Sequence, residues 1–434
     1  MHDNNLNNNR QFGYKKHHST ETLLLKFTND LIIGMDSKNG VVVLLMDLSA
    51  AFDTVDQRKL LNILCFQLNI RGSALSWFKS FLIGRSQKVM VGSETSDPVE
   101  LSFGVTQGSV LGPVLFNIYI SSINDVFSAS GFSCIGYADD NSGYQVFNID
   151  CASVTLNNSI PLCIELIQNW MFKYFLKLNE SKTKIIVFGT NHFHNQFQIN
   201  QICTNAGSII DLDDSIKYLG VYLDKHLNLK QHVNKVTSHC YKLLKNISNV
   251  RKFLSVSQCE ILVHAMISSR LDYCSSLLFG LPDQTLQKFK KVQNCASKLI
   301  LRRGRRHGLP PPLRLERLHW LSVEQRIVFR VLLLTFYCLH DIAPVEIKCL
   351  LVPYLSSSNI SFDNGNKALM FDTRFYYPRT SFGRRAFTFY APRLWNCLPI
   401  SLRKCDTVEH FKKLLKTFLW SNCDSLLAKY KRFL

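Results

Sequence analysis

No two of the fourteen cysteines in this 434-residue sequence stand at C-x-x-C spacing, which removes the usual signature of a zinc ribbon or a dithiol redox site. They are scattered, at positions such as Cys65, Cys134, Cys203 and Cys295. No signal peptide precedes them, so reduced thiols inside the cell, in cytoplasm or nucleus, are expected rather than secretion. Long apolar runs are missing too. The run from Ile327 to Leu339 contains Arg330 and is too short to span a bilayer, so it reads as a core helix and no membrane partner is expected. Acidic side chains run short in one half only. Through Lys225 there are 17 Lys and Arg against 20 Asp and Glu, and from His226 onward 34 against 12. The whole net charge of +19 therefore belongs to the second half. A basic half suits phosphate binding, a membrane surface or simply a soluble exterior. Apolar residues, by contrast, are plentiful at 46 %, with aromatics at 12 %. That composition excludes a disordered chain and allows about two or three domains with sizeable cores.

Periodicity sketches the organisation. The Asn-rich start, Met1 to Arg10, reads as a loop. Thr20 to Ile33 has a helical pattern. Gly40 to Asp47 (GVVVLLMD) is a short β-branched run after a glycine and reads as a strand buried on both faces. Asp53 stands as the N-cap of a helix through Leu60, Leu61, Leu64 and Leu68. A further helix near Ala74 to Leu82 leads into a strand from Ser86 to Gly92. Gly104 to Ile120 passes from a glycine-rich turn into an apolar helix. Phe132 to Phe147 reads as two strands joined by a tight turn at Asp139, Asp140 and Asn141. Ile164, Ile167, Met171 and Tyr174 mark a helix face, and Lys184 to Phe188 and Tyr218 to Leu223 read as short strands. The pattern implies a mixed α/β (α+β) sheet assembled from distant segments. After Asp224 it turns helical. Val233, Val236, Cys240, Leu243, Ile247 and Val250 recur at helical spacing, with Lys235, Lys242, Lys245 and Lys252 between them. Helices are also expected at about Ser257 to Leu278 and Gln284 to Arg302. A basic run, Arg302, Arg303, Arg305 and Arg306 with His307, ends at Pro310 to Pro312. The remainder is helical at both ends and irregular around Asp363 to Tyr390.

The chemistry centres on acidic residues at strand ends: Asp47, and the adjacent pair Asp139 and Asp140. Neighbouring carboxylates in an apolar hairpin repel one another unless cations neutralise them. Oxygen ligands suit Mg²⁺, and two such ions can activate a hydroxyl and stabilise a leaving phosphate. An Asp-Asp turn capping its own backbone is the competing reading.

The surroundings of these residues resemble the reverse transcriptases of LINE-type (non-LTR, jockey-like) retrotransposons. Asp47 through Asp56 (DLSAAFDTVD) resembles motif A of that family, and Gly104 through Pro113 (GVTQGSVLGP) motif B. Tyr137-Ala138-Asp139-Asp140 resembles motif C, Leu178 through Lys184 (LNESKTK) motif D, and Lys217-Tyr218-Leu219-Gly220 the primer-grip motif. Gln11 through Tyr14, with His18 through Thr22, is similar to a fingers motif. The likeness continues at Arg270 through Cys274, from Pro378-Arg379 through Pro399, and around Phe411-Lys412-Lys413. It follows family order and covers nearly the whole chain.

The resemblance implies a right-hand polymerase: partial fingers and palm over residues 1–224, a helical thumb over 225–309, and a basic helical C-terminal extension of unassigned role over 310–434. It implies RNA-directed DNA synthesis with two Mg²⁺ ions, or Mn²⁺, held by Asp47, Asp139 and Asp140. Partners would be an RNA template, a DNA primer and deoxynucleoside triphosphates. Phe52 would select against a ribose 2′-hydroxyl, or serve as an ordinary core residue. Gln107 and Gly108 would line the nucleotide pocket. Lys182 would protonate pyrophosphate, with a solvated surface lysine as its rival reading. Lys15, where many relatives carry Arg, keeps the charge facing the triphosphate but loses the bidentate fork. Tyr218, Leu219 and Gly220 would grip the primer. Lys235, Lys242, Lys245, Arg302, Arg303, Arg305 and Arg306, followed by Trp320, would contact nucleic-acid backbone, although the arginine run also reads as a solvated linker. The family's segment before Gln11 and its endonuclease are absent from the sequence, so a truncated piece of a longer protein is expected. The alternative is an inactive remnant that only binds RNA or DNA.

Overall fold

Seven residues, Gly40–Met46, form the strand around which half of the chain is organised; it is β1, and every one of its residues is buried. The computed structural model describes residues 10–48, 51–177, 179, 182–205, 207–302, 310–353 and 370–432. Arg303, Arg305, Arg306 and the Asn-rich residues 1–9 lie outside the described residues, as do parts of the motif A and motif D strings. The chain divides into two units, residues 1–19 with 38–214, and residues 20–37 with 215–434.

In the first unit, β1 is joined by β2 (Ser133–Tyr137), β3 (Asp140–Phe147) and β4 (Lys184–Phe188) in one antiparallel sheet of order β2-β3-β1-β4. The β-branched run of β1 suits this central position, since branched side chains pack well on a pleated surface. Val42, Leu44 and Met46 enter a core with Leu115, Phe116 and Tyr119 of helix Gly112–Tyr119, and with Ile160, Ile164 and Ile167 of helix Ile160–Lys173. Gly143 is needed where β3 passes Phe127, because an added Cβ would come within 2.3 Å of that ring.

Three local expectations for this unit need correcting. The N-cap of helix Gln57–Asn62 is Asp56, whose carboxylate accepts from the Lys59 N–H at 2.6 Å, whereas Asp53 is engaged elsewhere. The strand expected over Ser86 to Gly92 breaks into Arg85–Gln87 and Met90–Val91, which pair with Val99–Leu101 and Glu94–Thr95 respectively. The turn between β2 and β3 is centred on Ala138 and Asp139, because Tyr137 already pairs with Asp140.

The second unit takes in helix Thr20–Asp36 together with everything from Ser215. That helix is tied to sequence-distant partners. Asp36 accepts from the Tyr376 hydroxyl, the N–H groups of Arg379 and Thr380, and the Thr380 hydroxyl. Burial works against its charge, but these bonds outweigh it and hold the carboxyl below its ordinary value. The strand expected over Tyr218 to Leu223 is instead a hairpin, β5 (Ser215–Tyr218) with β6 (Val221–Asp224). Leu219 (φ +44°) and Gly220 (φ +82°) turn between them. Positive φ at both turn positions matches the twist of a tight hairpin.

Helices Lys230–Val250, Asp283–Ile300 and Val323–Leu339 agree with the expected periodicity. On the first of them the buried stripe is Val233, Cys240, Leu244 and Ile247, while Val250 is exposed. The single helix expected over Ser257 to Leu278 is broken into short turns. A π-turn interrupts it at His264–Ser268, and Cys274 adopts a left-handed backbone at φ +53°. Among the described residues no helix is long and apolar enough to cross a membrane.

Candidate active site

The sheet register decides where the carboxylates sit. Met46 is the last residue of β1 paired with β3, and it faces Asn141. Continuing that register by one step sets Asp47 opposite Asp140, with Asp139 next in the turn. Asp140 is exposed as a residue, yet its carboxyl is crowded. Desolvation, and then the charges of Asp139 and Asp47, push it up to about 6. Asp47 is anchored by its backbone, whose carbonyl accepts from the Asn179 N–H at 2.9 Å. Its carboxylate is met by the Lys182 ammonium at 3.3 Å. Among the described residues no group of three or more His, Cys, Asp or Glu side chains converges closely enough to hold a metal ion as it stands. The oxygen-only donor set and its mutual repulsion nonetheless suit a hard divalent cation.

This crowding carries a stability prediction. A carboxyl raised from 3.8 to about 6 leaves stability untouched at low pH, where both states are protonated. As pH rises from about 4 to about 6, the unfolded chain ionises first and stability falls; above that window the penalty is complete. Asp140→Asn is therefore expected to stabilise the metal-free protein near neutral pH by on the order of 1 kcal/mol after solvent screening, and to have no such effect at about pH 4. Thermal denaturation at the two pH values checks this. A gain of the same size at both would mean that the carboxylates are not in conflict.

The turn itself is held in a strained form. Ala138 has φ +57° and is buried. A positive φ at the first loop position only is the pattern of a type II′ hairpin, which ordinarily calls for glycine there. Tyr14, also left-handed at φ +60°, has its phenol raised by burial and then by the charges of Asp139 and Tyr137. Lys15 follows it, half-buried.

The segments read as motifs A and B are laced together. The Gly104 N–H donates to the Val55 carbonyl and the Val105 N–H to that of Phe52. A Cβ on Gly104 would come within 3.1 Å of the Asp53 carbonyl oxygen, and its φ is +88°. Gln107 donates from Nε2 to the Asp53 carboxylate at 2.8 Å. Asp53, read from the sequence as a helix cap, therefore orients Gln107. Gly108 has φ +78° with open space around it, so backbone conformation rather than a crowded neighbour demands glycine there. Pro113 occupies the start of helix Gly112–Tyr119. Phe52 stacks on Phe116, ring centroids 4.3 Å apart.

The remaining candidates belong to the second unit. Tyr218 is buried, and the Leu219 carbonyl accepts from the Tyr273 hydroxyl at 2.7 Å. Lys235 and Lys242 line an open cleft of about 790 Å³ that also receives Lys217, His239 and Arg270 and, among the described residues, has no carboxylate on its wall. Arg270 and Lys217 were not singled out as contact residues by sequence spacing, because they come from separate segments. Lys245 is exposed on the same helix. Arg302 donates to the Leu254 carbonyl at 2.7 Å. Trp320, expected to contact RNA, is instead buried, and its indole N–H donates to Glu260. Burial removes the ring face that a base would need.

The family described as reverse transcriptase (RNA-dependent DNA polymerase) matches residues 1–223. The probable RNA-directed DNA polymerase from transposon BS of Drosophila melanogaster is 26% identical over 244 residues, 55% of this chain and 26% of that protein. The RNA-directed DNA polymerase from mobile element jockey of Drosophila funebris is 26% identical over 238 residues, 52% of this chain and 24% of that protein. The matched regions thus span about a quarter of the length of these curated relatives. Among solved structures, an apo telomerase from Candida tropicalis aligns with 68% of this chain and 47% of its own at 13% identity, with a TM-score of 0.37.

Proposed function

The chain belongs to the reverse transcriptase (RNA-dependent DNA polymerase) family, and on that premise we propose that it adds deoxynucleotides to the 3′-hydroxyl of a DNA primer on an RNA template, in the transposition of a LINE-type element. The observation that carries this reading is the gathering of Asp47, Asp139 and Asp140 at one turn, where burial first, and then the charges of Asp139 and Asp47, raise the Asp140 carboxyl to about 6; bound cations would offset both effects. Asp47 and Asp139 would hold two divalent ions, with Asp140 assisting. Bound there, Mg²⁺ or Mn²⁺ would make the primer oxygen a nucleophile and stabilise the leaving pyrophosphate.

The chain's own residues do the rest. Lys182 meets the Asp47 carboxylate at 3.3 Å, which puts an ammonium beside the site, where it would serve as proton donor to the leaving group. Lys15 contributes charge toward the triphosphate. Gln107, oriented by Asp53, supplies a donor and an acceptor beside the templating pair, with Gly108 leaving room next to it. The sheet-bearing unit plays the palm, with residues 10–19 as part of the fingers. The hairpin at Tyr218, Leu219 and Gly220 grips the primer, and the basic helices after it act as a thumb. Lys217, Lys235, Lys242 and Arg270, around the basic cleft, hold phosphates, assisted by Lys245 and the arginines from Arg302. Their binding weakens steeply with salt.

Phe52, backed by Phe116, is the wall against a 2′-hydroxyl. Phe52→Val is expected to cut the preference for deoxynucleotides over ribonucleotides by about 10- to 100-fold, read as the ratio of kcat/KM values. The reading as a whole is tested by Mg²⁺-dependent extension of a DNA primer on an RNA template. Salt-dependent nucleic-acid binding without any extension would overturn it in favour of a protein that only binds.

A further inference from the structure

One side chain bonds to both polar groups of the residue that turns the carboxylate hairpin. Residues 10–12 run along the edge of β2 as a short parallel partner: the Phe12 N–H donates to the Gly136 carbonyl at 2.7 Å, and the Gly136 N–H to that of Arg10 at 2.9 Å. Gln11, 127 positions away from Ala138 in sequence, is 3 % exposed. Its Nε2 donates to the Ala138 carbonyl at 2.9 Å, and its Oε1 accepts from the Ala138 N–H at 2.8 Å. The same Oε1 accepts from the Gly13 N–H at 2.8 Å.

In a two-residue hairpin the polar groups of the first loop residue point away from the ladder and ordinarily go to water. Here they are buried, and a buried peptide group needs a partner. The Gln11 amide provides one for each. Its own placement is enforced twice over. A side chain on Gly13 would bring a Cβ to 2.4 Å from the Ala138 nitrogen, so the chain can pass there only as glycine. The Gly13 carbonyl is in turn held at 3.1 Å by the Asn117 amide, from the helix that begins at Gly112. On the far side of the turn, the Asn141 amide donates to the Asp139 carbonyl at 3.1 Å. A left-handed alanine persists only where its surroundings over-determine it, and these contacts do so.

We propose that Gln11 is a positioning residue for the candidate metal carboxylates, its side-chain amide fixing the two peptide units of Ala138 and with them the directions in which Asp139 and Asp140 leave the turn. This rests on the polymerase reading given above. Gln11 touches neither substrate nor the reacting atoms; it acts through the hairpin. Without it, the Ala138 peptides are free to rotate, and carboxylates that repel one another in the absence of cations splay apart.

The test compares the wild-type chain with Gln11→Met, which keeps the reach but loses the hydrogen bonds, and Gln11→Asn, which keeps the amide but loses the reach. Mn²⁺ binding without nucleic acid is followed by water-proton relaxation, and primer extension is followed as a function of Mg²⁺. Both variants are expected to bind Mn²⁺ at least about tenfold more weakly and to need correspondingly more Mg²⁺ for half-maximal extension. The KM for primer–template should not change, which a general loss of structure would not spare. Melting curves establish folding, and the polar Gln11→Asn variant carries the test should Gln11→Met unfold. A wild type that binds Mn²⁺ while a folded variant matches it within twofold overturns the role of Gln11 alone. A wild type that binds no Mn²⁺ overturns the metal reading, and this inference with it.

Discussion

Asp139→Asn is expected to lower primer extension by roughly a thousandfold or more while leaving nucleic-acid affinity intact. Charge stabilisation by a correctly held cation is worth several kcal/mol in the transition state, and about 4 kcal/mol corresponds to that factor. Asparagine matches aspartate in shape, so the turn that follows Ala138 keeps its form, and the Asn141 amide still finds the residue 139 carbonyl. What disappears is one negative charge. Desolvation is the larger cause of the raised Asp140 carboxyl, but Asp139 is the next, so the substitution should also let Asp140 ionise at lower pH. The metal-free variant should then be no less stable than the wild type above pH 6, a result that separates lost chemistry from lost structure. The basic cleft with Lys217, Lys235, Lys242 and Arg270 is untouched, so RNA–DNA duplex should bind with the same affinity and the same salt slope. Single-turnover extension and a salt titration of binding read the two effects independently. Equal extension by wild type and variant would remove Asp139 from the reaction. It would also return the carboxylate pair to the reading of an ordinary polar turn.

The second large effect concerns stability. Glu21→Ala is expected to destabilise the second unit by about 2–3 kcal/mol after solvent screening of Arg330, a fall in Tm of roughly 5–10 °C for a unit of that size. Glu21 sits in the first turn of helix Thr20–Asp36 and is buried. One carboxylate oxygen accepts from the Ser276 hydroxyl at 2.7 Å and from its N–H at 3.2 Å, and the other takes the Arg330 guanidinium at 2.5 Å. Truncation leaves a buried serine and a half-buried guanidinium without their acceptor; the serine loses its acceptor in the core, while solvent takes up part of the cost of the cation. Removing both partners is predicted to be far milder. Glu21→Gln with Arg330→Met leaves Ser276 an acceptor and no stranded charge, so it should recover most of the lost stability. If the double variant is as unstable as Glu21→Ala, the pair is not what holds this helix. The string His18 to Thr22 thus contains a residue whose structural work is the docking of the helix it begins.

Local chemistry in the sequence was enough to find most of the elements. The β-branched run from Gly40 forms its strand and stops at Met46, one residue short of the expected Asp47. The lysine-bearing periodicity after His226 became helix Lys230–Val250, with Lys235, Lys242 and Lys245 exposed. The run around Ile327 to Leu339 became the end of helix Val323–Leu339, started by the Ser322–Gln325 capping box. These signals are legible because they depend on neighbours within one turn or one strand. Errors fell where neighbouring residues offered equal choices. Asp53 and Asp56 are both competent caps, and only the packing of Gly104 against the Asp53 backbone, with Gln107 on its carboxylate, assigns Asp56 to the helix. Likewise the Asp139–Asp140 turn could have been centred on any of several residues until the register of β2 with β3 fixed it.

The sequence on its own determined which residues carry charge, where the longest helices and the central strand run, and that three carboxylates stand near strand ends; periodicity, propensity and charge are local properties. Tertiary structure alone decided that Asp47, one residue past the Met46–Asn141 pair, comes close enough to act on the Asp140 carboxyl, that helix Thr20–Asp36 groups with residues from Ser215 onward, and that Gln11 closes a turn 127 positions away. Those outcomes rest on which buried polar groups find partners across long loops. No window of neighbouring residues contains that information, because the partner is defined only once the chain has folded.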